Sequence, residues 1–342
     1  MPVTALPSKA EAENLLPKDS PALVPYDSVV LPAEKAASEA SDTDATMRTM
    51  FARVVGYLLL YPPSDQARTV VQSEVERCKT ERDPNKGIYD LGEMYVKDLI
   101  LPFYCISEEM TPLQSGDYSL ASYERIKEIA SQGRLNRPRN TSEAQEFGFA
   151  RDNYRCMLSH VGDWFAMMPG GIIDPKREPP RGPGRAYALP VECCHIFPEA
   201  LEVEGGPSDR RVNIAKNHAG AFWAILARFG YEGIHDELRG PNIHRLENVV
   251  TLSGGVHALF RGLDVWLEEE DGQANCYSVG VSFPLIYEHF EPQIPERIQF
   301  VASDNFPLPN PTYLHIHAAC SRIATLSGAL KHLNSFYYEE SE

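Results

Sequence analysis

Asn248-Val249-Val250-Thr251-Leu252-Ser253-Gly254-Gly255-Val256-His257-Ala258-Leu259-Phe260 changes its period halfway along. Val249 to Leu252 is a β-branched, apolar run, the composition of a strand. Gly254-Gly255 interrupts it, and the residues from Val256 to about Glu269 predict a helix. Upstream, Tyr187 to Phe197 is strand-like and is closed by Pro198. That strand ends on Glu192-Cys193-Cys194-His195-Ile196-Phe197-Pro198. The order is therefore strand, strand, helix, with His195, Asn248 and His257 on successive elements. A hairpin packed on a helix can bring all three to one cleft. Each has an ordinary explanation alone: a strand-end histidine with its bonds satisfied, an asparagine closing a turn, a histidine packing a helix start. Their joint order and spacing is what marks them.

Outward from this core the fold class is α+β with inserted and flanking helices. Tyr154-Arg155-Cys156-Met157-Leu158 reads as a short strand, preceded by a helix that starts at Ser142 with Gln145 as its capping box. A Pro/Gly-rich loop covers roughly 169–185. Residues 213–229 form an amphipathic helix with Phe222 and Trp223 on its buried face, an insertion packed beside the strands. Tyr277 to Phe283 predicts another strand, and Pro311 to about Leu333 a final helix. Towards the N-terminus, Met47, Met50, Phe51, Val54, Val55, Leu58 and Leu59 recur at helical spacing until Pro62-Pro63. Residues 1–46 are rich in Pro, Ala, Ser, Glu and Asp and are expected to be disordered. The expected partition is 1–46 disordered and acidic, 47–140 helical, 141–283 the hairpin-and-helix domain, and 284–342 a helical extension.

The 342 residues are 43% hydrophobic and 23% charged, enough apolar matter for a true core. The longest apolar run, Val54 to Tyr61, is too short to span a bilayer, and charges and prolines break up the first residues before a signal-type apolar stretch forms. The expectation is an intracellular protein, in cytoplasm or nucleus, without a membrane partner. The seven cysteines form no C-x-x-C pair, which leaves a four-cysteine zinc module without support and suggests reduced thiols. The net charge of −16 argues against a generic nucleic-acid binder. It is uneven, however: residues 149–265 carry 13 basic and 14 acidic side chains, between flanks of net −7 and −8. This near-neutral third contains the basic stretch Lys176 to Arg185, which on its own reads as a solvated loop.

Several motifs in this third resemble those of HNH nuclease domains found in many fungal proteins. Arg151-Asp152-Asn153-Tyr154-Arg155-Cys156 resembles the opening R-D-x-Y-R-C, and Glu192 to Pro198 resembles E-x-A-H-I-x-P. Asn248 to Phe260 resembles N-x-x-x-L-x-x-x-x-H-x-x-F. Trp266-Leu267-Glu268, Leu308-Pro309-Asn310-Pro311 and Leu314 to Cys320 are also similar to that group. The resemblance covers about 142–333 and implies a ββα-metal fold that hydrolyses phosphodiester bonds in nucleic acid, DNA before RNA, with one divalent ion (Mg, Mn or Zn). By resemblance His195 matches the general base, Asn248 the catalytic residue that orients the base or its loop, and His257 a metal ligand. The chemistry suits these types: a neutral imidazole accepts a proton from water, and a divalent ion neutralises charge on the phosphate.

Two positions depart from the pattern. Cys194 stands where relatives often carry a metal-binding His or Asp; it is either a thiolate ligand favouring a soft or borderline ion or a small buried hydrophobe. Arg261 stands where many relatives carry Asp, Asn or His. It cannot bind a metal, and either holds a phosphate or lies on the surface. Asp264 lies seven positions after His257 on the same helical face. A catalytically degenerate scaffold that binds a protein partner through its acidic flanks is the alternative.

Overall fold

The computed structural model describes residues 4–104, 119–133, 137–168, 171–173, 188–202, 210–301 and 305–339. Cys105, the basic stretch Lys176 to Arg185 and most of the Pro/Gly-rich loop lie outside the described residues. The chain divides into two compact units that interleave in sequence. One comprises Met1–Tyr104, Gly206–Asp236 and Ala319–Glu342; the other comprises Cys105–Gly205 and Glu237–Ala318. The partition expected from sequence was sequential, whereas these units are not.

The first unit is helical. Its central helix, Ala45–Leu60, buries Met50, Phe51, Val54, Val55, Leu58 and Leu59, the residues whose spacing announced it. Helices Asp65–Cys78 and Pro84–Tyr95 follow, capped by Ser64 and Asp83, whose side chains accept from Ala67 and Lys86 backbone N–H. Residues 4–46 correct the expectation of disorder. They contain helices Lys9–Leu15 and Leu23–Pro25, a π-turn at Tyr26–Val30, and helix Leu31–Glu39. Leu6, Ala12, Tyr26, Val29, Val30 and Ala33 are buried. The buried Glu34 carboxylate accepts from Leu6 N at 3.1 Å and Arg53 Nε at 2.6 Å, which pins the segment to the central helix. Leu6 fits because residue 56 is glycine: a Cβ there would stand 2.5 Å from a Leu6 methyl. The π-turn shifts the helical phase partway along, so no single period exposes these residues to a sequence reading.

Helix Arg210–Arg228 also belongs to this unit, which corrects its reading as an insertion packed beside the strands. Phe222 and Trp223 are buried as expected. Their neighbours, however, are first-unit residues: Phe222 meets Phe103 edge-on at 5.3 Å, and Phe229 meets Tyr95 at 5.9 Å. Ser64 Oγ donates to Phe229 O at 2.5 Å.

The second unit mixes helix and sheet. Strands β1 (Val191–His195) and β2 (Val249–Ser253) pair antiparallel, with Glu192 opposite Leu252, Cys194 opposite Val250 and His195 opposite Val249. Helix Gly254–Arg261 follows β2 directly. It is shorter than predicted. Leu263 takes a left-handed backbone (φ 59°), and the chain re-enters sheet as β3 (Val265–Glu269). Strands β4 (Cys276–Val281) and β5 (Arg297–Gln299) complete an antiparallel β3-β4-β5 sheet. Trp266 is buried flat on β4, where residue 280 must be glycine because a Cβ would lie 2.2 Å from the indole. The expected strand at Tyr154–Leu158 is instead a turn carrying one β-bridge, Arg155 to Gly162. Asn153 and Tyr154 both have positive φ, which ends helix Thr141–Arg151 abruptly. That helix is capped by Asn140, whose Oδ1 accepts from Glu143 N at 2.9 Å, rather than by the Ser142/Gln145 box.

Arg151 ties this helix to β2. It is fully buried; Nη1 donates to Leu246 O at 2.8 Å, Nη2 to Val249 O at 2.9 Å, and the fork pairs both Asp152 oxygens at 2.8 Å. The last long helix, Pro311–Ser327, stops before the predicted Leu333 because Gly328 adopts φ 87°. On it His317 is buried, stacked on Phe260 at 4.0 Å, with Nε2 3.2 Å from Phe260 O. Burial lowers its pKa to about 4. The unfolded chain therefore takes up a proton near pH 6.5 that the folded chain refuses until about pH 4. Stability is full above pH 6.5 and falls as pH drops towards 4, by about 2 kcal/mol between pH 7 and 5. Urea midpoints of wild type and His317→Gln at both pH values test this; the variant should show the shallower pH dependence.

Candidate active site

The site grows from β1. Its start is fixed by Asp163, fully buried, whose Oδ1 accepts from Val191 N at 3.0 Å while Oδ2 accepts from Phe165 N at 2.9 Å and Ala166 N at 3.0 Å. Burial pushes this carboxyl up, and the three N–H donors work against that rise. From that anchor, strand alternation puts Glu192 and Cys194 on one face of β1.

The helix Gly254–Arg261 presents His257 to this face. His257 Nδ1 hydrogen-bonds Glu192 Oε2, with side-chain exposures of only 11% and 12%. Its Nε2 is buried and makes no hydrogen bond among the described residues. Burial disfavours charge on this imidazole, but the adjacent Cys194 sulfur and the Glu192 carboxylate outweigh it, raising the pKa to about 9. Cys194 is itself fully buried. An orphaned ring nitrogen, a buried sulfur beside it and a carboxylate on the far ring nitrogen fit a bound metal. The carboxylate fixes the tautomer and leaves Nε2 as the ligand atom. Metal must displace a proton there, so affinity depends on pH.

His195 is the last residue of β1. Its side chain is 6% exposed; Nδ1 stands 3.1 Å from Glu199 Oε1 and Nε2 3.2 Å from His244 Nδ1. Burial lowers its pKa to about 4; Glu199 opposes this, while His244, Arg261 and His257 add to it. The imidazole is therefore neutral at pH 7, and the Glu199 carboxylate selects the tautomer with hydrogen on Nδ1 and the lone pair on Nε2. Glu199 is held by Thr141 Oγ1 at 2.9 Å. The two histidine rings meet edge to face at 5.2 Å, and burial lowers the pKa of His244 as well.

Asn248 is fully buried and acts on backbone only: Oδ1 accepts from Phe197 N at 2.8 Å, and Nδ2 donates to Phe197 O at 3.0 Å and Ile243 O at 2.9 Å. It clamps the segment after β1 to the segment before β2, and is a positioning residue. Arg261, one turn beyond His257, lies near enough to depress both His195 and His257. Asp264 is directed elsewhere, accepting from Ser282 Oγ. Of the residues expected from sequence, His195, His257, Cys194 and Arg261 thus share one neighbourhood with Asn248 supporting it. Glu192, Glu199 and His244 were missed as functional residues. Glu192 stood inside a quoted motif, and Glu199 follows His195 by four positions, but His244 carried no signal of its own.

Glu192→Gln should keep the fold and weaken divalent-metal binding by about 10–100-fold, as loss of a carboxylate behind a ligating histidine does. Calorimetric titration measures it; unchanged affinity would remove His257 from the ligand set.

No curated protein and no solved structure matches the chain. Residues 156–262, a span that contains Cys194, His195, Asn248, His257 and Arg261, match the family model described as HNH endonuclease.

Proposed function

We propose that this chain is a metal-dependent endonuclease of the HNH type, cutting DNA, with a ββα-metal site like that of the HNH domains in fungal proteins. The observation that carries the reading is His195: a neutral, buried imidazole anchored by Glu199, one residue from Cys194 and close to the cationic Arg261. His195 accepts the proton of the attacking water at Nε2, the ring nitrogen that His244 Nδ1 faces at 3.2 Å. A base with a pKa of about 4 is weak, but the phosphate brings negative charge into the site and raises that value towards the working pH. Arg261 holds a non-bridging phosphate oxygen. Asn248 keeps the base-bearing loop in register. Cys194 and His257 Nε2 would hold one divalent ion, which when bound supplies Lewis-acid stabilisation of the phosphate and its leaving oxygen.

No described helix is long and apolar enough to cross a membrane, and an intracellular location gives such an enzyme its substrate. The net charge of −16 favours the second reading, a non-catalytic scaffold for a protein partner. Plasmid nicking with Mg²⁺, Mn²⁺ and Zn²⁺ in turn separates the two. Nicked circles in at least one are expected; no cleavage in any, together with no bound metal by calorimetry, leaves the scaffold. Cleavage of RNA but not DNA would change the substrate.

A further inference from the structure

We propose that His195, Glu199 and His244 form a second metal site, suited to a borderline ion of the zinc class, and that an ion bound there switches the nuclease off. The regulatory half rests on His195 being the general base; the site itself does not.

The three side chains each offer one ligand atom, and these lie within 4.8 Å of one another. Two edges are resolved: His195 Nδ1 to Glu199 Oε1 at 3.1 Å, and His244 Nδ1 to the same oxygen at 3.9 Å. A tetrahedral ion with bonds of about 2.0–2.1 Å sets ligand edges of about 3.3 Å, so the observed pair brackets the requirement. Two imidazoles and one carboxylate suit zinc, with a fourth position left for water. Magnesium prefers an oxygen shell and is the poorer fit.

The cluster is also preorganised. Glu199 opens the turn Glu199–Leu201 after β1, and His244 ends the turn Gly240–His244 ahead of β2. Asn248 locks these stretches together by bonding Phe197 N and O on one side and Ile243 O on the other. Thr141 Oγ1 orients Glu199. The ligands therefore come from the end of β1, the turn after it and the turn ahead of β2, whose spacing is fixed before any ion arrives.

Inhibition follows from the imidazole. A neutral ring has one in-plane lone pair, and the other nitrogen carries hydrogen. An ion on Nε2 takes the lone pair directly. An ion on Nδ1 sends that nitrogen's proton to Nε2, with no net release. Either way His195 cannot accept a proton from water.

The test titrates Zn²⁺ into Mg²⁺-supported plasmid nicking and counts bound zinc by equilibrium dialysis, for wild type, His244→Asn and Glu199→Gln. The expected result is loss of nicking in wild type as zinc is added, and one equivalent of zinc fewer in each variant. His244→Asn should lose the zinc sensitivity measured against its own zinc-free rate. Cobalt spectra guard against misfolding: the variants should lose d–d intensity but keep thiolate charge-transfer absorption from Cys194. Equal zinc counts in all three proteins would overturn the site. A loaded site with an unchanged Mg²⁺-supported rate would overturn the inhibition. If wild type never cleaves, the nuclease reading and the inhibition fall together, while the zinc count still decides the site.

Discussion

On the proposed reading, His195→Ala is expected to nick plasmid about 10²–10⁴-fold more slowly than wild type, the usual cost of a missing general base. The geometry explains why the loss is chemical. His195 ends β1, and its main-chain neighbour Ile196 N bonds Asn248 O at 2.8 Å without help from the imidazole. Glu199 retains Thr141, and Phe197 remains clamped by Asn248. The substitution therefore removes a proton acceptor and leaves the loop in place. Single-turnover rates with saturating metal, beside a urea titration, separate the two effects. A His195→Ala protein that cleaves within a factor of a few of wild type would sink His195 as the base. So would a loss of rate matched by loss of fold.

The largest effect on stability belongs to Arg151→Met. The buried guanidinium donates to three carbonyls, Leu246 O, Val249 O and, at 3.4 Å, Pro307 O, and to both oxygens of Asp152, whose side chain is 4% exposed. Methionine fills much of the volume but strips the buried Asp152 carboxylate and Val249 O of the guanidinium's donors, while Leu246 O keeps Val249 N–H. Breaking a buried pair from one side costs about 3–5 kcal/mol, a large part of a domain's stability. Adding Asp152→Asn should return part of the loss, because the orphan is then neutral. A single-variant shift below about 1 kcal/mol would mean the pair behaves as exposed pairs do. Leu246 and Val249 flank Asn248, so loosening Arg151 should also blur the loop that carries His195.

How far the sequence announced this arrangement depends on what each residue does. β2 and the start of its helix were visible because Val249 to Leu252 is β-branched and Gly254-Gly255 marks the switch of period. The central helix Ala45–Leu60 was visible for the same reason: one face, one period. The helical run Leu23–Glu39 was hidden by a π-turn that shifts its phase and by Pro25 and Pro32, which read in sequence as breaks. Trp266-Leu267-Glu268 was read as helix because it follows an amphipathic run. Leu263 turns left-handed there and the chain re-enters sheet, where Gly280 leaves room for the Trp266 indole, and no local pattern reports that. In the site, His195 and His257 stood out by type. Glu192 and Glu199 did not, because a carboxylate bonded to a ring nitrogen looks in sequence like any surface acid. His244 is brought beside His195 by the Asn248 clamp across 49 positions, a tertiary fact.

Interleaving has a consequence for synthesis. The helical unit needs residues from Gly206–Asp236 and from Ala319 onward, so it cannot close while the ribosome is still making the β-strands. Ala45–Leu60 meets helices Leu31–Glu39 and Pro84–Tyr95 early, but Phe51 waits for Phe336, which packs on it at 6.3 Å and follows it by 285 positions. Until then part of the unit's apolar surface is unpaired, the condition under which nascent chains recruit holding chaperones or aggregate. The same wiring stops either unit from being moved between genes as a cassette. A cut at any one place in the chain leaves one unit or the other short of a segment.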